Sequence, residues 1–312
     1  MARQSNSSIS DLPLSEKIAE WMAQFKMRFD SRFSGADFSW LSADFAEYDG
    51  YTRAHTGKAL ADCSVLEIGY GARPYRLITM MSLGMDVIGV DLERPVLRGT
   101  PTELWQVFRT NGFERVAKTA VRFHCFDRPE RKVLAEHIAK VGGRLHIDPE
   151  RFLVSDATSS AFWETLGERQ FDVILSEEVF EHVPAEGLDL LIERTAQMLK
   201  PTGIALIRPS IYTGITGGHH VEWYPHLVDL DIPRRSLPWE HLRGNRFRAN
   251  TFLNKVDRRD FRARFQRHFR ILREVEKYPM LGHRHLTPDV RRELEAYPDE
   301  ELFSNNVLFV LQ

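Results

Sequence analysis

Five short apolar runs, each closed by Gly, Asp or Ser and followed by residues at helical spacing, constrain this chain more than any other feature of its sequence. Cys63 to Ile68, Val87 to Val90, Phe152 to Val154, Phe171 to Leu175 and Ile204 to Ile207 are rich in β-branched residues and apolar on both faces. A strand apolar on both faces must be covered on both, so the pattern predicts parallel strands joined by crossover helices, an α/β fold built of βαβ units. The link from Asp91 to Phe152 is too long for one crossover; Glu103 to Phe108 and Pro129 to Val141 within it have helical character, which predicts a helical insertion over residues 93–150. After Ile207 an irregular stretch runs to Asn254, with residues 209–255 read as a substrate loop region. A helix near Asp257 to His268 follows, then two strands, Phe269 to Val275 and Asn306 to Leu311, around a helix over Thr287 to Tyr297. That ending predicts an antiparallel addition to a parallel sheet. At the other end, Ile18, Trp21, Met22, Phe25 and Phe29 recur at helical spacing from Leu14 to Phe29. The Gly-punctuated, aromatic stretch Phe38 to His55 reads as a loop or short helix, making residues 1–59 a helical cap on a main domain over 60–312.

Composition closes off other classes. The 312 residues are 43% apolar and 28% charged, ordinary globular usage that excludes collagen-like and largely disordered chains. The longest weakly polar run, Leu77 to Val90, is broken by Thr79, Ser82 and Asp86 and is too short to span a membrane. Two cysteines, Cys63 and Cys125, are too few for a disulfide framework, and no secretory signal is visible at the N-terminus, so a cytoplasmic location is expected. A net charge of −2 removes any whole-chain attraction to nucleic acid. The charge is uneven, however: Ile232 to Arg273 holds thirteen Lys/Arg against three acids, either a solvated face or a site for phosphate, carboxylate or an RNA backbone.

The first predicted strand, Val65-Leu66-Glu67-Ile68-Gly69-Tyr70-Gly71, ends in two glycines that let the backbone turn sharply beside a ligand. Asp91 closes the next strand twenty residues beyond Gly71, where a carboxylate can accept both ribose hydroxyls of an adenosine. A dinucleotide is the competing ligand, but the third glycine of its fingerprint falls at Pro74. Glu67, two residues before Gly69, repels a diphosphate and suits an ammonium-bearing ligand. That combination favours S-adenosylmethionine (SAM).

From about Leu60 to Gln312 the sequence resembles class I SAM-dependent methyltransferases, on the segments VLEIGYG, VIGVDLE, FLVSDAT, FDVILSEEVFEHVP and MLKPTGIALI in order. The resemblance implies a doubly wound, Rossmann-like seven-stranded sheet of order 3-2-1-4-5-7-6 with strand 7 antiparallel. It places Glu67, Gly69 and Gly71 at the methionine part of SAM, Asp91 with Leu92 at the ribose, Asp156 and Ala157 at the adenine, and Ser176 and Glu177 beside the amino group and the reacting methyl. Arg73 departs from the Gly or Thr of many members.

Methyl transfer to a hydroxyl needs the acceptor aligned and its proton removed. Glu178, Glu181 and His182 stand at i, i+3 and i+4, one face if the segment is helical, and could hold a divalent cation such as Mg2+. Gly217-Gly218-His219-His220 could add a further ligand from His219. This set, with Glu222-Trp223 after it, looks like the Glu-x-x-Glu-His plus later His of plant-type small-RNA 2′-O-methyltransferases and of hydroxyl methylases of quinone biosynthesis. In that family the metal chelates two neighbouring hydroxyls of the acceptor. Without a metal, His182, His219 or His220 is the expected general base. Trp223, Tyr224 and Trp239 could stack on a sugar, and Tyr48 and Tyr51 could close over the cofactor, although aromatics at such positions are more often core.

The expected function is O-methylation of a small hydroxylated acceptor, a sugar or secondary metabolite. RNA 2′-O-methylation stands as an alternative, drawn from the arginine-rich segment and the metal pattern, although the overall acidity makes a nucleic-acid partner improbable. A non-catalytic SAM-binding scaffold is a third reading, disfavoured by an intact Asp91 and the acidic-His cluster.

Overall fold

The computed structural model describes Met22, residues 36–243 and residues 251–312. The amphipathic helix expected from Leu14 to Phe29 therefore lies, Met22 apart, outside the described residues. Seven strands form one sheet: β1 (Ser64–Ile68), β2 (Asp86–Asp91), β3 (Phe152–Val154), β4 (Phe171–Glu177), β5 (Leu199–Arg208), β6 (Ile271–Glu276) and β7 (Val307–Leu311). Their order is β3-β2-β1-β4-β5-β7-β6, with β2 parallel to β1 and β3, β4 parallel to β1, and β7 antiparallel to β6. The register brings Gly69 onto β2, its N–H donating to Val90 O at 2.7 Å. No helix among the described residues is long and apolar enough to cross a membrane.

The chain divides into two compact units. The first takes in residues 36–176 and 197–206. Its core is the apolar sequence of the strands themselves, with Val65, Leu66, Val87, Val90, Val173 and Ile174 buried. The stretch expected as a loop or short helix is one helix, Ser39–Thr56, ended by Gly57 in the left-handed region. The insertion carries the helices Pro101–Arg122 and Arg128–Lys140. The first starts at a capping box of Thr100 with Glu103 and runs past the six residues whose periodicity marked it, but it is two helical pieces kinked at Gly112, whose φ is 80°.

Asp172 locks the amino end of this unit's sheet. Its carboxylate accepts from Lys58 Nζ and Lys200 Nζ, each at 2.7 Å, and from Ser64 N and Oγ at 3.0 and 2.9 Å. Burial alone would push this carboxyl up, but the lysine and serine bonds outweigh it and hold it well below the usual carboxylate range. A depressed folded-state value gives stability that is present above the unfolded value, about pH 4, and lost as the pH falls below it. With both lysines partly solvated, Asp172→Asn is expected to cost about 2 kcal/mol at pH 7 and to flatten the acid limb of stability, read from thermal melts between pH 3 and pH 7.

The second unit takes in residues 177–196 and 207–312 among those described. One part of its core is aromatic: Phe265 stacks with Phe261 and touches Phe180, Phe269 and Phe309. Another gathers Ile215, Trp223, Val228, Trp239 and Leu294. Trp223 and Trp239, weighed above as sugar-stacking residues, are thus core. Trp223 N–H donates to Ser236 Oγ at 3.0 Å and Arg234 lies over its ring, so it fastens a surface segment.

The arginine-rich segment is consumed largely within this unit. Arg258 pairs with Glu274 and Glu276, Arg262 with Glu274 and Glu300, Arg264 with Asp189, and Arg243 with Glu293. Arg234 donates to the backbone carbonyls of Leu227, Val228 and Leu230. Among the described residues, such pairs reduce the positive face that an RNA backbone requires.

Candidate functional site

In the first unit the carboxyl ends of β1, β2 and β3 carry the residues expected at the cofactor. Gly69 and Gly71 have φ of 81° and 68°, the left-handed region open to glycine, so the chain turns off β1 without strain. Asp91 Oδ2 accepts from Gly71 N at 2.8 Å and Oδ1 from Glu93 N at 3.1 Å. Each oxygen keeps a further lone pair, so the carboxylate can still take two hydroxyls. Burial raises its pKa, and the Glu93 and Gly71 amides oppose that rise. Leu92, next to it, is 68% exposed, an apolar surface beside the carboxylate.

Glu67 is buried. Its Oε1 lies 3.3 Å from Arg76 Nη1, while Oε2 has no hydrogen-bond partner. Burial pushes its pKa up to about 7, only partly offset by Arg76. An orphaned buried carboxylate oxygen, an acceptor pair on Asp91 and an exposed apolar side chain fit a cationic adenosine derivative such as SAM. Asp156 Oδ1 is engaged by Thr158 N and Oγ1, and Ala157 O by Trp163 Nε1, so both set the shape of the turn after β3. Ser176 is buried and its hydroxyl donates to Ile68 O at 3.0 Å, tying β4 to β1. Arg73, the departure from the family pattern, is held by Asp127 and Glu130. Tyr48 is buried and its hydroxyl has no partner.

In the second unit Glu177 pairs with Arg208, a residue the sequence pattern did not single out. Beyond it the expected helix face does not form. Glu178 has φ of 53°, Val179 is also non-helical, and only Phe180–His182 make a 3-10 turn. Glu178 is thereby turned out of line with Glu181 and His182, and its Oε1 accepts from Asn306 Nδ2 at 3.1 Å. The turn is clamped by Asn254, whose Nδ2 donates to Phe180 O and Val183 O at 2.7 and 2.9 Å and whose N–H donates to Glu181 O at 2.9 Å.

What this turn assembles is Glu181, His182 and His219, with one donor atom of each within 4.8 Å of the others. Glu181 is 3% exposed, and neither carboxylate oxygen has a hydrogen-bond partner. The Nε2 atoms of His182 and His219 both stand 3.9 Å from Glu181 Oε1. Burial, then the Glu178 charge, raises the Glu181 pKa well above the carboxylate range, and the nearby amides of Glu181 and Ser210 offset this only partly. His182 Nδ1 lies 2.9 Å from Phe252 O; a carbonyl only accepts, so Nδ1 carries the proton and Nε2 presents its lone pair. Burial lowers the pKa of His182, and burial with the neighbouring His182 and His220 lowers that of His219 to about 4. Two neutral imidazoles and a buried, unpartnered carboxylate form a donor set suited to a divalent cation.

His219 has φ of 53°, the second of two strained non-glycine residues beside this cluster, and such strain gathers at functional sites. The first glycine of the doublet before it is required by packing: a Cβ on Gly217 would stand 2.2 Å from Tyr212 O and 2.4 Å from Ile211 O. Gly217→Ala is expected to cost about 2 kcal/mol and to displace His219, checked by thermal melting together with turnover. Glu222 does not join the cluster, since its Oε1 accepts from Arg235 N, Ser236 N and Ser236 Oγ. His241, also buried, is a core histidine hydrogen-bonded to Tyr212 O.

A cavity of about 390 Å³ opens beside the cluster, with His219 common to both and Glu178, Ser210, Thr216, Tyr224, Tyr278 and Asn306 among its walls. Of these only Glu178, His219 and Tyr224 were legible as candidates. Asn306 stands in Ser304-Asn305-Asn306, a polar break before an apolar strand, and that break was its only signal.

A search of curated proteins finds no match. Among solved structures the chain is similar to a TehB-like SAM-dependent methyltransferase from Corynebacterium glutamicum, at 15% identity, covering 95% of this chain and 98% of that one, with a TM-score of 0.40. It is also similar to 1,6-didemethyltoxoflavin-N1-methyltransferase from Burkholderia thailandensis (16% identity, 94% and 88% covered, TM-score 0.40). A third is magnesium protoporphyrin IX methyltransferase from Synechocystis (13% identity, 86% and 78% covered, TM-score 0.38). A family model described as a methyltransferase domain matches residues 20–268, most of the chain, and with it the protein belongs to that family and is a SAM-dependent methyltransferase.

Proposed function

We propose that this methyltransferase acts on a hydroxyl oxygen of a small polyhydroxylated acceptor, a sugar or secondary metabolite, and that Glu181, His182 and His219 hold a divalent cation for that reaction. The observation that carries the reading is Glu181, a buried carboxylate with both oxygens unpartnered and two imidazole Nε2 atoms 3.9 Å away. Burial alone favours its neutral form, and a cation held against it is what would keep it ionised.

Bound SAM supplies an electrophilic methyl on sulfur, and a bound cation lowers the pKa of an acceptor hydroxyl. The chain's own residues do the rest. Glu67, Gly69, Gly71, Asp91 and Leu92 hold the cofactor, with Asp156, Ala157 and Ser176 shaping its surroundings. Phe252 O fixes the tautomer of His182 so that its lone pair stays available. The cavity walls present a carboxylate, an amide, hydroxyls and two phenols, which match the donors and acceptors of a polyol. Glu178, fixed by Asn306, serves in this reading as an acceptor-orienting group rather than a metal ligand. His220 takes the acceptor proton.

The test is incubation with labelled SAM and fractionated metabolite extract, with and without chelator. Label in a product whose methyl sits on oxygen, lost with chelator and restored by Mg2+ or Mn2+, supports the reading. Label on nitrogen, or turnover indifferent to chelator, overturns the acceptor class or the metal respectively.

A further inference from the structure

A second cavity, of about 420 Å³, lies within the helical insertion of the first unit. Arg98, Arg128, Arg131 and His124 line it, with Leu97 and Phe123 as its apolar part, and no carboxylate stands among the lining residues. The acids of the insertion nearby are already committed. Asp127 accepts from Arg73 Nε at 2.8 Å and Arg122 Nε at 3.1 Å. Glu130 pairs with Arg73 and takes the Tyr75 hydroxyl. Glu103 spends its carboxylate on the N–H groups of Leu97, Arg98 and Thr100. Among the described residues, none of Arg98, Arg128 and Arg131 has a carboxylate partner within ion-pair distance.

Arg131 anchors the cavity. Its Nη atoms donate to Val96 O and Leu97 O, its guanidinium carbon stands 5.3 Å from the centre of the Phe123 ring, and its Nε is buried without a partner. A guanidinium keeps its proton, so the charge remains, and burial without a counter-ion is costly. Burial pulls its pKa below the usual arginine value, and the charges of Asp127 and Glu103 only partly oppose this. The loop bearing Arg98 lies flat on the same ring: Gly99 has φ of 69°, and a Cβ there would stand 2.2 Å from Phe123.

We propose that this cavity is an oxyanion site for a phosphate ester, with Arg98 and Arg128 gripping the phosphate and Arg131 completing its charge. Three guanidiniums exceed what one carboxylate neutralises, whereas a phosphomonoester or diphosphate brings about two charges and several acceptor oxygens. The volume leaves room beside Phe123 for part of the group that the phosphate is attached to. That group belongs either to a soluble small molecule or to a lipid, since the helix Pro101–Arg122 also exposes Trp105, Phe108 and Phe113.

The probes are inorganic pyrophosphate, titrated calorimetrically into the full chain at low ionic strength, and vesicles of phosphatidylcholine with or without phosphatidic acid, a phosphomonoester lipid, in a sedimentation assay. Wild type is expected to bind pyrophosphate, and the double variant Arg98→Gln/Arg128→Gln, whose changed side chains are exposed, to bind it about tenfold or more weakly with an unchanged melting temperature. Sedimentation only with the vesicles that contain phosphatidic acid assigns the phosphate to a lipid headgroup; its absence assigns a soluble ester. As a readout free of variants, pyrophosphate is expected to protect Arg98 and Arg128 from phenylglyoxal, mapped by peptide mass spectrometry. No heat of binding to millimolar pyrophosphate, equal binding by the double variant, or unchanged phenylglyoxal labelling each overturns the site.

Discussion

Asp91→Ala is expected to weaken binding of SAM and S-adenosylhomocysteine by at least about a hundredfold, measured by calorimetry. In the proposed site Asp91 accepts both ribose hydroxyls, and a hydrogen bond to a charged acceptor contributes about 1.5 to 3 kcal/mol, so two lost bonds amount to about 3 to 6 kcal/mol. The substitution also releases Gly71 N and Glu93 N, which the carboxylate holds at the mouths of β1 and β2. Asp91→Asn keeps one acceptor oxygen and is expected to fall between the two. A wild-type affinity in Asp91→Ala would take the ribose away from β2.

Glu181→Gln separates function from stability. Turnover is expected to fall by about a thousandfold, the scale at which loss of a positioned charge-stabilising group acts in catalysis. Stability of the metal-free protein is expected to change by less than about 1 kcal/mol, because burial leaves this carboxyl neutral there and the amide replaces one uncharged polar group by another. A purely structural role for Glu181 would lower stability and activity together. Loss of activity with an unchanged melting temperature marks a group retained for chemistry.

The strands were legible because the apolar patterning of a parallel sheet is written locally, whereas their order came only with the resemblance to class I methyltransferases. β3 coincides with its expected span, and β1, β2 and β4 differ by one or two residues. β5 begins at Leu199, five residues earlier than its apolar run, because Lys200-Pro201-Thr202-Gly203 hides an extended segment behind turn-forming residues. The helix Pro101–Arg122 outran its periodicity since its exposed aromatics and basic residues mask any apolar face.

The candidate metal cluster was half legible. Glu181, His182 and His219 are brought together as the sequence suggested, yet by a 3-10 turn and not by a helix face. The left-handed backbone at Glu178 depends on tertiary contacts, among them its N–H to Arg208 O and its side chain to Asn306, more than a hundred residues away, and no local pattern encodes those. For the arginine-rich segment, composition reports thirteen basic residues over Ile232 to Arg273, whereas the acids that pair with Arg243, Arg258, Arg262 and Arg264, namely Asp189, Glu274, Glu276, Glu293 and Glu300, lie outside that stretch.

The most direct measurement is calorimetric titration of Mn2+ into metal-stripped wild type and into Glu181→Gln and His219→Ala, each checked for fold by thermal melting. One site on wild type, abolished in both folded variants, is the expected result. Wild type that takes up no Mn2+, Mg2+ or Zn2+, or variants that bind as wild type does, would contradict the assignment of a cation to Glu181, His182 and His219.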